Sequence, residues 1–439
     1  MTVLFDQAGQ LALAAARPQR YGRVTKMVGM SIEVAGIPAA IGDGLVLLPG
    51  GEQIFAEVAA LREDRIVCLA LGDTTGLRSG TPVLDMGGPL SIRVGPELLG
   101  RILDGRGQPI DEGPRISGAD VSVGGQAPHP LRRGMVTEQL SLGVRVLDGL
   151  IPCGKGQRLG IFAGSGVGKS SLMSMIARGT TADVSVVALI GERGREVAEF
   201  IERDLGPEGL ARSVVVVATS DAPAVMRIRA AFTATRIAEW FRDQGNDVVL
   251  MMDSITRFAM AQREVGLAAG EPPATRGYPP SVFGLLPRLL ERTGVGERGS
   301  ITGLYTVLVE GDDMNEPIAD TARSILDGHI QLSRTLAESN HYPAVDVLGS
   351  ISRVASTVTS NEQVRAGGTV RELLAAWRDA KDLIEIDAYV AGTNPVVDRA
   401  IALKPTIDAF CKQSMNEVSD LAGTRDSLVA MVAAREVAS

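Results

Sequence analysis

The chain has 439 residues, 45% apolar and 22% charged, which predicts a globular protein of two or three domains rather than a disordered one. Its formal net charge of −8 lacks the basic footprint of nucleic-acid binders, so no nucleic-acid partner is expected. No apolar run reaches the roughly 18–20 residues of a membrane-spanning helix, and three distant cysteines (Cys68, Cys153, Cys411) with only three histidines predict free thiols in a reducing cytoplasm and no His-ligated metal.

Residues 1–18 carry Leu4, Ala8, Leu11 and Ala15 at helical spacing, either a frayed terminus or a segment that docks on a partner. The early acid Asp6 and the lack of a basic region before an apolar one argue against a secretory signal. Over residues 19–88 the texture becomes short β-prone pieces, Gly22–Val28, Ser31–Val34, Gly44–Leu48, Phe55–Leu61 and Arg65–Leu69, punctuated by Gly, Pro and Asp. That rhythm predicts a small β-barrel. Residues 89–360 alternate helix-like stretches with continuous apolar runs at Leu159–Ala163, Val184–Ile190, Val214–Ala218, Val248–Met252 and Ile301–Val309. Strands apolar on both faces predict a parallel sheet covered by helices, an α/β core. A Pro/Gly-rich stretch, Gly266–Gly299, reads as a long loop inside it. Residues 361–439 are rich in helix formers at Glu372–Ala388 and Ile407–Glu436, which predicts a C-terminal helical domain.

The strongest chemical signal is Ala163-Gly164-Ser165-Gly166-Val167-Gly168-Lys169-Ser170, a phosphate-binding P-loop with Ala163 where the strict pattern has Gly. Its backbone amides cradle phosphates, Lys169 adds charge, the Ser170 hydroxyl suits Mg²⁺, and Ser171 continues the helix that follows. Residues 163–171 are therefore the expected ATP site. Hydrolysis also needs a group that polarises water, and parallel sheets gather ligands at their strand ends. Glu192 follows the apolar run Val184–Ile190, and Asp253 ends Val248–Met252. The first fits a water-activating carboxylate or a surface ion pair; the second fits the Walker B acid that holds Mg²⁺ or a plain strand-end cap. Arg353, in Gly349-Ser-Ile-Ser-Arg353, has the place of an arginine finger, though such a residue alone is ordinarily a surface one. Tyr342, before Pro343, reads as a base-stacking or a packing aromatic.

Taken in order, the P-loop, Gly191-Glu-Arg-Gly-Arg-Glu196, Asp253-Ser-Ile-Thr-Arg-Phe258, Tyr342-Pro-Ala-Val-Asp346 and Ser350-Ile-Ser-Arg353 resemble the catalytic subunit of rotary ATP synthases and the related ATPases of type III secretion. The resemblance runs over nearly the whole chain from about residue 20. It implies a RecA-like core between a β-barrel and a helical domain, and ATP with Mg²⁺ as ligands. It also implies roles: Glu192 activates water, Arg193 lies near the γ-phosphate, Asp253 is the Walker B acid, Tyr342 stacks on adenine, and Arg353 acts in trans.

The acidic C-terminal loop of the synthase is not evident. Stretches such as Gly270-Glu-Pro-Pro-Ala-Thr-Arg-Gly-Tyr-Pro-Pro-Ser-Val-Phe283 and Gly311-Asp-Asp-Met-Asn-Glu-Pro-Ile318 resemble the flagellar export ATPases, with the injectisome ATPases as the near alternative. That family implies a homo-oligomeric, hexameric ring, cytoplasmic and peripheral at the inner face of the membrane. Its implied partners are a stator-like regulator at the N-terminal segment, a coiled-coil stalk protein in the pore, export-gate membrane proteins, export substrates and chaperones. Two rivals carry less. An RNA-translocating hexamer would need basic, aromatic surfaces, and only 4% of residues are aromatic. A non-catalytic ring subunit should lack Lys169, Glu192 or Asp253.

Overall fold

The computed structural model describes residues 21–433 apart from 63, 310 and 312; the apolar stripe of residues 1–18 lies outside them. Alternating burial along β1 (Tyr21–Val28), β2 (Ser31–Ala35) and β4 (Ile54–Arg62) turns one side of each strand inward. With β3 (Asp43–Leu47), β5 (Arg65–Ala70) and β6 (Pro82–Pro89) they close into a six-stranded barrel in the order β1-β2-β5-β4-β3-β6. Val24, Ile32, Val34, Leu45, Leu47, Val58 and Cys68 fill it. Strand β6 escapes a sequence reading because Asp85, Gly87, Gly88 and two prolines give it poor β-propensity. Its place is set by pairing with β1 and β3.

After the barrel, β7 (Ser91–Val94) pairs with β9 (Ala119–Ser122), and β10 (Gln139–Leu140) with β11 (Cys153–Gly154). The main sheet is built from β8 (Ile102–Asp104), β12 (Arg158–Ala163), β13 (Val184–Ile190), β14 (Ser213–Ala218), β15 (Asp247–Asp253), β17 (Ser300–Leu308), β18 (Gly328–Leu332) and β19 (Val345–Ser352), with the short β16 (Gly294–Val295) hung on β17. Its order is β19-β18-β12-β17-β15-β13-β14-β8, parallel except for the edge strand β19 and for β16. Every residue of β13 is buried, and its side chains divide between two cores: Val187 and Leu189 enter one, Val186, Ala188 and Ile190 the other. Two-sided burial is the reason these strands read as unbroken apolar runs.

Between the strands run α1 (Arg145–Leu150), α2 (Lys169–Gly179), α3 (Ala224–Asp243), α4 (Ile255–Ala268), α5 (Pro280–Leu290) and α6 (Pro317–Ile325). Helix α5 corrects the expectation of a loop across Gly266–Gly299. Pro280 takes the first helical position, where its missing N–H costs nothing, and Val282, Leu286, Leu289 and Leu290 bury one face. Among its described residues the C-terminal region has three helices where two were expected: α7 (Asn361–Glu385), α8 (Pro395–Cys411) and α9 (Leu421–Ala433). Asn394 caps α8 by accepting from the amides of Val396 and Val397. All three cysteines are free and buried, and no helix among the described residues is long and apolar enough to cross a membrane.

One buried acid sits where core and helical domain meet. Asp148 accepts hydrogen bonds from Ser141 Oγ at 2.8 Å and from the amides of Leu142 and Gly143 at 2.9 and 3.1 Å. Burial pushes its carboxyl up to about 7 against those three donors. A carboxyl raised on folding stabilises the fold most below its unfolded value. That contribution is lost as pH rises toward 7, at up to about 1.4 kcal/mol per pH unit. Asp148→Asn, which cannot titrate, is therefore expected to gain on wild type between about pH 4 and about pH 7 in denaturant unfolding. Parallel pH profiles for the two proteins would show the assignment to be wrong.

Candidate active site

Strand β12 ends at Ala163, and the chain turns through Gly166 and Gly168 at φ of 78° and 95° before α2 begins at Lys169. Only glycine enters that left-handed region without strain. Helix α2 is anchored by Leu172, Met173, Met175 and Ile176, so its N-terminus is fixed at the sheet edge where the strands end. Glu192 follows two residues after the end of β13, and β15 ends at Asp253. Lys169 Nζ lies 2.5 Å from Asp253 Oδ1 and 3.6 Å from Glu192 Oε1, and all three side chains are largely buried. Ser170, Ser171, Glu192 and Asp253 line one cavity of about 160 Å³.

Thr306, on β17 between the strands of Lys169 and Asp253, donates to Asp253 Oδ1 at 2.7 Å. It is fully buried, and its place inside an apolar run hid it. Glu192 is pushed up to about 7, first by burial and then by the charge of Asp253, with Lys169 pulling the other way. Glu196, four residues on, is partly buried, yet its hydrogen bonds with Glu192 and Arg193 hold it below the usual carboxylate range. Of the two carboxyls, Glu192 is therefore the one that takes up a proton more readily. Glu196 belonged to the Gly191–Glu196 motif, but nothing in the spacing singled it out.

Gly191 positions Glu192. Its φ is +72°, and a Cβ there would stand 2.9 Å from Cβ of Arg257, on the helix that Ser254 caps. Gly191→Ala is expected to cost roughly 1–3 kcal/mol and to slow turnover by displacing Glu192. Denaturant midpoints together with kcat test this, and an unchanged midpoint would contradict it.

Tyr342 lies against the P-loop: a Cβ on Gly168 would meet two of its ring carbons at 3.3 and 3.4 Å. Its carbonyl accepts from the amide of Gln413 at 3.0 Å. The Gln413 carboxamide in turn binds Gly143 O, Glu417 O and the amide of Arg145, tying the helical domain to the nucleotide site. The two remaining arginines lie elsewhere. Arg193 is 79% exposed and pairs with Glu196 at 2.9 Å. Arg353, just past β19, donates to Arg323 O at 3.4 Å and has no part in the cavity of Glu192.

Three family models match in succession: the beta-barrel domain of the ATP synthase alpha/beta family over residues 19–87, its nucleotide-binding domain over 143–352, and the T3SS EscN ATPase C-terminal domain over 359–430. The flagellum-specific ATP synthase of Bacillus subtilis is 52% identical over 403 residues, 91% of this chain and 92% of the relative. The type 3 secretion system ATPase of Xanthomonas euvesicatoria is 49% identical over 416 residues, 94% of each chain. The chain belongs to the flagellar and type III secretion ATPases. The assembled EscN ATPase of enteropathogenic E. coli superposes with a TM-score of 0.89 at 47% identity, covering 94% of this chain and all of that one. EscN in complex with its central stalk EscO gives 0.88 at 46%, with the same coverage.

Magnesium fits an ATPase site of this composition. Asp253 and Ser170 offer hard oxygen donors on one cavity wall. Among the described residues no cluster of three His, Cys, Asp or Glu forms a dedicated cage. An ion that keeps its waters and relies on substrate phosphates asks for no more.

Proposed function

We propose that this ATPase hydrolyses Mg-ATP at the cavity of Lys169, Glu192 and Asp253 and energises export of flagellar proteins. The observation that carries the reading is the convergence of those three side chains at the ends of three strands of one parallel sheet. Residues 163–171 hold the phosphates of ATP, Lys169 neutralises their charge, and Tyr342 stacks on the base. Bound Mg²⁺, held by Ser170 and Asp253, supplies positive charge to the phosphate oxygens. Water attacks the γ-phosphorus in line, the bond to the β-phosphate oxygen breaks, and the water's proton passes to the Glu192 carboxylate, leaving ADP and phosphate. A base that titrates near neutrality is well matched to that transfer. Arg193 and Arg353 enter this scheme from outside the cavity, Arg353 from a neighbouring subunit.

The protein works as a homohexameric ring in the cytoplasm, docked at the inner face of the membrane, with a coiled-coil stalk in its pore, a stator-like regulator on residues 1–18, and the export gate, substrates and chaperones as further partners. The EscN assemblies support ring and stalk. The proposed domain limits are 19–88, 89–360 and 361–439. Deleting the gene in its own host should remove flagellar filament proteins from the culture medium, and a plasmid copy should restore them. Loss of virulence effectors with normal flagella would favour the injectisome instead. Removing residues 2–18 should abolish co-purification of the regulator while kcat stays within a few-fold of wild type; a lowered melting temperature with an intact complex would mean the segment packs on its own chain.

A further inference from the structure

A second cavity, of about 380 Å³, lies between the barrel and the nucleotide domain, away from the nucleotide site. Its walls come from β4 and β5 of the barrel, the turn Ser122–Gly125, and helices α3, α4 and α5. Ile228, Phe232, Val265 and Leu285 line it and remain only half-buried, so the fold leaves apolar surface unfilled there. A volume in this range, apolar walls and a few convergent polar groups are the features of small-molecule sites.

The polar groups give the sign of the ligand. Among the described residues Glu57 is the one carboxylate on the walls, against Arg229, Arg288 and Arg292. Arg292 is consumed by a bidentate pair with Glu239 at 2.7 and 2.6 Å. Arg229, with a side chain only 7% exposed, binds Glu57 at 3.0 Å and Leu90 O at 3.1 Å. Its Nε is buried with no partner among the described residues. Such a donor is costly to leave unmade, and the arginine that carries it forms part of the cavity wall. Arg288 stands exposed at the rim.

We infer that this cavity binds a small amphiphilic anion, its apolar body between α3, α4 and α5 and its acidic head on Arg229 and Arg288. The occupant is a small molecule and not a peptide helix, because the enclosed volume suits a body of one or two rings.

Anilinonaphthalene sulfonate is a suitable probe, and neutral phenylnaphthylamine its comparison, both titrated by fluorescence into the full chain. Saturable one-to-one binding of the sulfonate is expected, about tenfold tighter than the neutral dye. Saturating Mg-ATP should not displace it. Val265→Trp, which fills the cavity, should abolish binding without changing ATP turnover or the melting temperature. Arg288→Gln should remove most of the preference for the anion; Arg229→Met should do so too, but strips Glu57 of its partner, so the Arg288 variant carries the test if that protein fails to fold. Displacement by Mg-ATP, binding that survives Val265→Trp, or equal affinity for the two dyes would each overturn the inference.

Discussion

Lys169→Ala is expected to abolish ATP hydrolysis and weaken nucleotide binding, whereas Glu192→Gln should bind ATP nearly as wild type and stop turning over. The two residues lie 3.6 Å apart, yet the proposed scheme gives them different stages. In it Lys169 meets phosphate charge already present in the ground state, so its loss should appear in affinity. Glu192 there takes up a proton released only as the P–O bond to water forms, so its loss should appear in kcat alone. Glutamine keeps the size of the side chain and removes the basicity, which makes the variant a test of chemistry rather than packing. ATP affinity and kcat measured on both variants separate the roles. A Glu192→Gln protein with near-wild-type kcat would move the catalytic carboxylate elsewhere, with Glu196 the next group to examine because it lines the same cavity.

Arg353→Ala is expected to lower kcat by ~10³–10⁵, the range that arginine fingers supply in phosphoryl transfer. Among the described residues of one protomer this arginine hydrogen-bonds Arg323 O and the backbone of Asp327. Its contribution then requires a neighbour, and specific activity should climb with protein concentration. Mixing inactive Arg353→Ala with inactive Glu192→Gln should restore part of the activity, because some interfaces pair a wild-type Glu192 with a wild-type Arg353. Concentration-independent turnover, or an inert mixture, would refute action in trans.

Much of this architecture is legible because its determinants are local. The barrel strands announce themselves by alternation, and the buried strands by apolar runs with an acid or glycine at the end. For that reason Glu192 and Asp253 are recognisable before any coordinates. What stays hidden depends on distant partners. Strand β6 has poor propensity and exists because two strands receive it. Thr306 lies in a run that reads as pure core, and its role follows only from β17 lying between β12 and β15. Gln413 and Asp148 act at a junction whose two sides are far apart in the chain, so no window of sequence contains both. Arg193 shows the converse: the motif around it is plain, but its side chain points to solvent and pairs with Glu196.

The contact between Lys169 and Asp253 has a consequence for the cycle as a whole. The lysine has an anion of its own chain at 2.5 Å, nearly out of water. A phosphate that draws on the charge of Lys169 has to share it with that carboxylate. That rivalry lowers affinity for every nucleotide below what the phosphate contacts alone would give. It also favours departure, since once the γ-phosphate has left, the carboxylate can reclaim the lysine and help expel ADP. A site that carries its own substitute for the substrate's charge sacrifices tightness of binding for ease of emptying, and a motor that must fire repeatedly gains more from the second.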